Sequence, residues 1–294
     1  MHSQLHLASG AWELEVQPGR GGAVTALRHA ARSLLVSPDA ATPDAMGAAS
    51  FALLPYANRI ARGTFAYLGR QWVLPGNFGA HPHPLHGIGW QRSWSVLAQQ
   101  ADAIELGLQH AGDAAWPWPF SARQLIVLQP ERVRFDLAVT NHAALIAPMG
   151  LGFHPAFAAH ATTMLHVQLE SVWQIDADSL PVSLRPAGEV LPELPAAVPV
   201  RRNTLIDHCF PGWPGRLRIE HAGFAGNIPV VEMTAAPQLS FLQLYMPPGR
   251  DYFCAEPMSQ MPDAINHPLA GHHGGLRFLQ PGETLQVWME IAAR

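Results

Sequence analysis

The feature of this chain that most constrains its fold is an alternation of apolar and polar residues across residues 123–140. The apolar positions are Leu125 and Val127 before a Pro130-Glu131 turn, and Val133, Phe135, Leu137 and Val139 after it. A period of two places alternate residues on one face of a strand. The segment therefore predicts a β-hairpin in which these side chains share a face.

Glycine and proline divide the rest of the chain into short segments. The 294 residues include 25 glycines and 27 prolines, which separate many stretches of strand-like composition. This pattern predicts an all-β fold, a large antiparallel β-sandwich with few short helices, forming one domain over residues 1–294. Residues 39–50 are predicted as the early helix, and the proline-rich residues 181–199 as a long surface loop.

Charge and hydropathy exclude several classes of partner. The net charge is -4, and the basic residues do not cluster, so we expect no nucleic-acid partner. The sequence lacks a run of roughly 18–20 apolar residues and an apolar N-terminal leader, so we expect no membrane span and a cytoplasmic location. Two cysteines, Cys209 and Cys254, are too few for a disulfide framework, and we expect reduced thiols.

All 18 basic residues are arginine, and this absence of lysine excludes some reactions. Schiff-base aldolases, pyridoxal-phosphate enzymes and P-loop nucleotide-binding proteins each need a lysine amine. Sugar chemistry through an imine is therefore excluded.

Three histidines, His81, His83 and His86, lie within six residues. In an extended segment His81 and His83 would share a face and could bind a metal together with a distant glutamate. The intervening prolines indicate an exposed loop instead. We therefore expect no metal here.

His86 has two further interpretations. It precedes Gly87 and is followed by Trp90 and Trp94. Protein sites bind the polar edges of a sugar with hydrogen-bonding groups and its apolar faces with aromatic rings. The sequence therefore predicts His86 beside an aromatic wall, and the alternative is that His86 only caps a turn.

Four other residues are candidates for a polar site. Arg59, after Asn58, can donate several hydrogen bonds in a fixed fork to hydroxyl or carboxylate oxygens. Asp207 and Glu256 are carboxylates in apolar contexts, where a carboxylate needs a partner. His154 lies in a glycine-flanked apolar segment and could be a packing residue, a metal ligand or a general acid.

Five short motifs, in order, resemble the motif set of the aldose 1-epimerase (galactose mutarotase) family. They run from residue 58 to residue 266 and so cover most of the chain. The motifs are Asn58-Arg59-Ile60 with Gly63 and Phe65; Leu85-His86-Gly87 with Trp90 and Trp94; Gly152-Phe153-His154-Pro155 with Phe157; Leu205-Ile206-Asp207; and Glu256-Pro257 with Pro262, Asp263, Ala264 and Asn266.

The resemblance implies a galactose mutarotase-like β-supersandwich with a pyranose site on its concave face and no cofactor. The expected ligand is a small-molecule sugar. Glu256 resembles the family's general base and His154 its general acid. The residues expected to bind the sugar are Arg59, His86 and Asp207, together with Asn58 and Trp90. One departure is Ala156, where many members have a tyrosine.

Anomer interconversion suits these residue types. A carboxylate removes the proton of the anomeric hydroxyl while an imidazolium protonates the ring oxygen, after which the ring opens, the aldehyde rotates and the steps reverse. Free carboxyl and imidazole groups titrate near roughly 4.3 and 6.5. We therefore expect nearby carboxylates such as Asp207 to raise the pKa of His154, and a bell-shaped dependence of the rate on pH.

Two alternatives stay open at the level of the sequence. The substrate could be a hexose 6-phosphate or another acidic sugar, bound with the help of Arg59, Arg62 and Arg92. The chain could also be a non-catalytic sugar-binding protein on the same fold.

Overall fold

Two large antiparallel sheets organise the fold of residues 3–221, 230–267 and 273–294, which are the residues that this computed structural model describes. The strands are β1 (Leu5–Ser9), β2 (Trp12–Gln17), β3 (Ala23–His29), β4 (Arg32–Leu35), β5 (Ala52–Leu53), β6 (Thr64–Tyr67), β7 (Arg70–Val73), β8 (Ser95–Gln99), β9 (Ala103–His110), β10 (Phe120–Gln129), β11 (Arg132–Asn141), β12 (Ala147–Met149), β13 (Gly152–Phe153), β14 (Ala156–Ala158), β15 (Thr163–Val167), β16 (Ser171–Ile175), β17 (Pro181–Pro186), β18 (Val198–Pro199), β19 (Ile206–Pro211), β20 (Arg216–His221), β21 (Val231–Ala235), β22 (Phe241–Met246), β23 (Tyr252–Met258), β24 (Arg277–Leu279) and β25 (Thr284–Ala293).

The two sheets confirm the predicted all-β antiparallel sandwich. In one sheet the strand order is β1-β2-β3-β4-β14-β23-β13-β5, and β22 pairs with β23 and carries β19 on its other side. The other sheet has the order β18-β15-β20-β21-β25-β11-β10-β9-β8. Three two-stranded ribbons, β6–β7, β12–β24 and β16–β17, lie outside these sheets.

The predicted hairpin is confirmed, but the predicted face of its first strand is wrong. β10 and β11 pair from Gln129 opposite Arg132 to Phe120 opposite Asn141. Residues directly opposite each other share a face, and this register places Ile126 and Leu128 with the buried residues of β11. Leu125, opposite Asp136, is 37% exposed on the other face.

Helices in the described residues are short 3₁₀ turns, at Ala45–Gly47, Ala61–Gly63, Gly89–Gln91, Ala187–Glu189, Ala264–Asn266 and His273–Gly275. None of the helices in those ranges has the length and apolarity that crossing a bilayer requires. The helix predicted over residues 39–50 is therefore wrong apart from one turn, which Asp44 caps through its Oδ1. The backbone instead folds back on itself and brings Gly47 close to Asp39. A Cβ on Gly47 would lie 2.1 Å from the carbonyl oxygen of Asp39, so only glycine fits this approach.

The long loop predicted over residues 181–199 is also wrong. It contains β17, the turn Ala187–Glu189 and β18. Three of its five prolines, Pro181, Pro186 and Pro199, occupy strand ends, where a missing N–H does not interrupt a ladder. β17 pairs with β16 to form a hairpin, and an ion pair between Asp178 in its connection and Arg62 links that hairpin to the loop before β6.

Candidate functional site

Three neighbouring strands place polar side chains on one face of the sheet. Glu256 on β23 lies opposite Gln243 on β22, and Cys254 lies opposite Tyr245. On the other side of β22, Tyr245 lies opposite Asp207 of β19. Because alternate residues of a strand share a face, these side chains form the floor of a common cavity of about 320 Å³, with Gln243 buried at its edge.

Glu256 and His154 meet at the deep end of this floor. β23 pairs with β13 through Met258 and Gly152, and with β14 through Cys254 and Ala156. His154 lies between those two pairs, so its side chain falls beside Glu256, with 3.4 Å between His154 Nε2 and Glu256 Oε1. The structure therefore brings the predicted acid and base into contact.

Two rings fix the imidazole of His154. Phe51 stacks on it with ring centroids 4.5 Å apart and an interplanar angle of 17°, and the His154 N–H donates to the Phe51 carbonyl. His86 meets it edge-on at 5.1 Å. The Nδ1 atom of His154 is buried without a hydrogen-bond partner in the structure, so aromatic packing and the contact of Nε2 with Glu256 orient this ring.

His86 is held by reciprocal hydrogen bonds with Asn58. The His86 N–H donates to the Asn58 carbonyl at 2.9 Å, and the Asn58 N–H donates to His86 Nδ1 at 3.1 Å. Both residues have positive φ, +58° and +59°. An Nδ1 that accepts a bond carries no proton, so the neutral ring has its proton on Nε2 and can donate from there. His86 both closes this turn and lines the cavity.

Arg59 and Asp207 form a mostly buried ion pair. Arg59 Nη2 lies 2.9 Å from Asp207 Oδ2, with 12% and 15% of the two side chains exposed. Asn58 Oδ1 accepts from the N–H and Nη1 of Arg59. Gln243 Nε2 donates to the other oxygen of Asp207 at 2.5 Å. The network leaves acceptor and donor groups in fixed positions along one wall.

The motif at residues 262–266 supports this wall from behind. Asp263 Oδ1 accepts from the N–H of Ala61 and from Asn266 Nδ2, and the Asp263 N–H donates to the Arg59 carbonyl. Asn266 Nδ2 also donates to the Thr64 carbonyl. Asp263 and Asn266 therefore position the loop that carries Arg59.

Burial sets the proton affinities at the deep end. It lowers the pKa of His154 to about 4, although the charge of Asp207 acts in the opposite direction. The predicted rise in the pKa of His154 is therefore wrong, because desolvation of the imidazolium outweighs the nearby carboxylate. Burial also raises the pKa of Glu256 well above its ordinary value, and the charge of Asp207 adds to that rise.

The aromatic wall predicted from Trp90 and Trp94 is wrong. Trp90 is 1% exposed, packs against Phe51 and donates from Nε1 to the Leu85 carbonyl. Trp94 is buried and donates to the Gly89 carbonyl. Trp90 does not line the cavity, so it supports the site from beneath and does not contact a ligand there. Aromatic lining comes instead from Phe78, Tyr245 and Tyr252.

In the described residues, the possible ligand atoms of His81, His83 and His86 do not come together as a metal site, although the rings of His81 and His83 lie 5.5 Å apart. His83 is buried with its Nδ1 accepting from the N–H of Arg62, while His81 lines the cavity. In the described ranges, His86, His154 and Glu256 are the one trio whose possible ligand atoms lie within 4.8 Å of one another. Binding a metal through His86 Nε2 would require the ring proton on Nδ1, where it would displace the bond that Nδ1 accepts from the Asn58 N–H.

Sequence reasoning missed several residues that the site uses. Gln243 and Tyr245 alternate with the buried Leu242 and Leu244, a period of two that could have placed both on the face of Asp207. Phe51 carries no such signal, because it reaches His154 from a distant part of the chain.

Comparisons with known proteins agree with this fold. A family model described as Aldose 1-epimerase matches residues 13–292. The uncharacterized protein YphB of Escherichia coli (strain K12) is 29% identical over 296 residues, which cover 97% of this chain and 97% of that protein. A solved structure from Escherichia coli K12, described as a "putative aldose 1-epimerase", has a TM-score of 0.90 and 26% identity, covering 100% of this chain and 99% of that one. A galactose mutarotase-like protein from Clostridium acetobutylicum, 20% identical, shares the fold with a TM-score of 0.87, covering 100% of this chain and 95% of that one.

Asp207→Asn tests the ion pair. The substitution leaves a mostly buried guanidinium without its charge partner, so we expect the free energy of unfolding to fall by about 3 kcal/mol. Urea denaturation measures the change. Asp178→Asn is the matched control, because its pair with Arg62 is 47% and 72% exposed and should contribute less than about 1 kcal/mol. Equal losses in the two variants would contradict this view of the wall.

Proposed function

Because the chain belongs to the aldose 1-epimerase family, we propose that it interconverts the α and β anomers of an aldose. The observation that carries the proposal is the contact between Glu256 and His154 at the deep end of the cavity. Such a pair can remove a proton from one oxygen of a hemiacetal while it protonates the other.

In the proposed reaction, Glu256 takes the proton of the C1 hydroxyl and His154 Nε2 gives a proton to the ring oxygen. The bond between C1 and the ring oxygen breaks, and its electron pair stays on that oxygen. Rotation about the C1–C2 bond presents the other face of the aldehyde, and reversal of both proton transfers closes the ring to the other anomer.

The pair carries one proton through the whole cycle. Before ring opening that proton is on His154, and after ring opening Glu256 is protonated and His154 is neutral. Burial disfavours charge on both groups, which raises the energy of the ion pair relative to the neutral pair. Ring opening converts the ion pair into the neutral pair, so burial favours this step.

The polar wall suits a sugar. Asp207 offers oxygens that accept from hydroxyl groups, and His86 Nε2, Arg59 and the Nδ2 of Asn58, whose oxygen already accepts twice from Arg59, offer donors. We propose that these four residues bind the hydroxyl groups of the ring. The ligand is then a small-molecule sugar, and the residues present need no cofactor for the proton transfers.

A phosphorylated substrate receives less support from the geometry. Of the three arginines considered for a phosphate, Arg59 is paired with Asp207, Arg62 with Asp178 and Arg92 with Asp113. The residues that line the cavity include Arg59 and neither of the other two. We therefore propose a neutral aldose.

Polarimetry of freshly dissolved α-D-galactose and α-D-glucose tests the proposed function. Wild-type protein should accelerate the approach to the anomeric equilibrium of at least one of them. Glu256→Gln keeps the shape of the side chain but removes the base, so we expect the catalysed rate to fall by at least about 100-fold. Glu105→Gln, on the outer face of the other sheet and paired with Arg123, should keep the wild-type rate.

A wild-type rate that survives in Glu256→Gln would contradict the proposed role of this carboxylate. Sugar binding without any acceleration by the wild type would instead favour the non-catalytic alternative.

The dependence of the rate on pH tests the one-proton requirement. Below about pH 4 both His154 and Glu256 are protonated and the base is lost; above the raised pKa of Glu256 neither is protonated and the acid is lost. We expect the catalysed rate to be constant between these two pKa values and to fall on either side, which gives the pH profile an acid limb and an alkaline limb. The charge of Asp207 raises both pKa values, so the residual activity of Asp207→Asn should show both limbs at lower pH. Limbs that stay in place or move to higher pH would count against the assignment.

A further inference from the structure

Gln243 and Glu256 lie directly opposite each other on β22 and β23. Opposed residues of an antiparallel pair share a face, with their Cβ atoms about 4.5–5.5 Å apart. Both side chains are 2% exposed. Of these two residues, Glu256 lines the cavity and Gln243 does not. Gln243 therefore meets Glu256 from within the protein and not from the side on which a ligand would lie.

Each of these side chains has one oxygen that lacks a donor. Gln243 Oε1 and Glu256 Oε2 are buried, and neither has a hydrogen-bond partner among the described residues. The orientation of the Gln243 amide is set by its nitrogen, which donates to Asp207 Oδ1 at 2.5 Å. Buried acceptors are almost always satisfied, because an acceptor without a donor is unfavourable away from water.

One proton on Glu256 would satisfy both oxygens. An ionised carboxylate and an amide oxygen can only accept hydrogen bonds, so they cannot bond to each other. A protonated carboxyl group has an O–H donor. With the proton on Oε2, Glu256 can donate to Gln243 Oε1.

The structure favours this position over a proton on His154. The contact between His154 Nε2 and Glu256 Oε1 is 3.4 Å long, beyond the roughly 2.7–3.2 Å of an N–H···O hydrogen bond. Burial lowers the pKa of His154 to about 4 and raises the pKa of Glu256 well above its ordinary value. Without a ligand, the single proton of the pair therefore resides on Glu256.

We propose that Gln243 is a positioning residue, which holds the proton of the pair on Glu256 Oε2 until a sugar binds. Its place in the cycle rests on the proposed function, whereas the hydrogen bond itself can be tested without a substrate. In the proposed reaction the carboxyl group turns toward His154 and its O–H bond breaks. The electron pair stays on Glu256, and an N–H bond forms at His154 Nε2. The resulting carboxylate is the base that ring opening requires.

Other titratable or charged groups surround Glu256 on the same floor and on the segments packed against it. They are His154, His86, Asp207, Arg59, Tyr245, Cys209 and Cys254. Burial keeps the two thiols, the phenol and His86 neutral, because it raises the pKa of the first three and lowers that of the imidazole. The charges of Asp207 and Arg59 act on the pKa of Glu256 in opposite directions. The Cys209 thiol, opposite Gln243 on β19, is only a weak donor, so Glu256 is the stronger donor available to Gln243 Oε1.

The pH profile of kcat/KM, which reports the free protein, tests the bond in Gln243→Met. Methionine has a similar length but no amide oxygen, so protonated Glu256 loses its acceptor. The alkaline limb, where Glu256 loses its proton, should move to lower pH by about one unit. The acid limb should stay in place, because Glu256 is protonated on both sides of it. A general loss of activity would lower the whole profile without moving either limb.

An effect through Asp207 would give a different profile. Without the Gln243 amide, the charge of Asp207 would be less neutralised, and that charge raises the pKa of both His154 and Glu256. Both limbs would then move to higher pH. That result, or an alkaline limb that stays in place, would overturn the inference.

Gln124→Met is the matched control. Gln124 is also a buried glutamine on a strand, but it lies on β10 of the other sheet and donates to the Gly22 carbonyl. The same chemical change there should leave both limbs where they are in the wild type. An equal movement of the alkaline limb in this control would contradict a specific role for Gln243.

Infrared spectroscopy tests the bond without a substrate. A protonated carboxyl group has a C=O stretching band that carboxylates lack, and the band that is lost in Glu256→Gln belongs to Glu256. In the wild type this band should lie at lower frequency than that of a carboxylic acid monomer in an apolar solvent, which needs no folded Gln243 variant. In Gln243→Met it should move to higher frequency and vanish at lower pH.

The two measurements separate this inference from the proposed function. If the band behaves as expected but no sugar is interconverted, the proposed function fails and the bond between Glu256 and Gln243 stands. If sugars are interconverted but the wild-type band has the frequency of a carboxyl group without a hydrogen bond, the inference alone is wrong.

Discussion

The burial of Glu256 against His154 is the interaction on which the rest of the site depends. The register of β23 with β13 and β14 brings the two side chains within 3.4 Å, and Phe51 covers the imidazole. Exclusion of water disfavours the charged forms of both groups. A buried pair that holds one proton can act as acid in one direction and as base in the other, as a reversible ring opening requires.

The opposite wall is held by backbone conformations that most residues avoid. Asn58, His86 and Asp263 all have φ between +55° and +59°, and each such residue costs of order 1 kcal/mol or more. Reciprocal hydrogen bonds between Asn58 and His86 offset that cost, as do the bonds of Asp263 to the Arg59 loop. The donors and acceptors of the wall are therefore fixed before a ligand arrives.

Local patterns in the sequence predicted what depends on neighbouring residues. The alternation after Pro130 predicted β11 and its buried face, and the short motifs predicted which polar residues would meet in one cavity. The outward direction of Leu125, the position of Trp90 beneath the cavity and the low pKa of His154 could not be predicted in this way. Each follows from tertiary contacts: strand register, the packing of Phe51, and the depth at which a side chain is buried.

The fate of an oxygen-18 label on C1 tests most directly whether the pair opens the sugar ring. Protonation of the ring oxygen by His154 breaks the bond between C1 and that oxygen, and leaves the C1 oxygen attached throughout. Mass spectrometry of a labelled sugar after many enzyme-catalysed interconversions should therefore show label lost only as fast as in the absence of protein. Loss in step with anomer interconversion would mean that the bond from C1 to its hydroxyl oxygen breaks, and would contradict the roles assigned to Glu256 and His154.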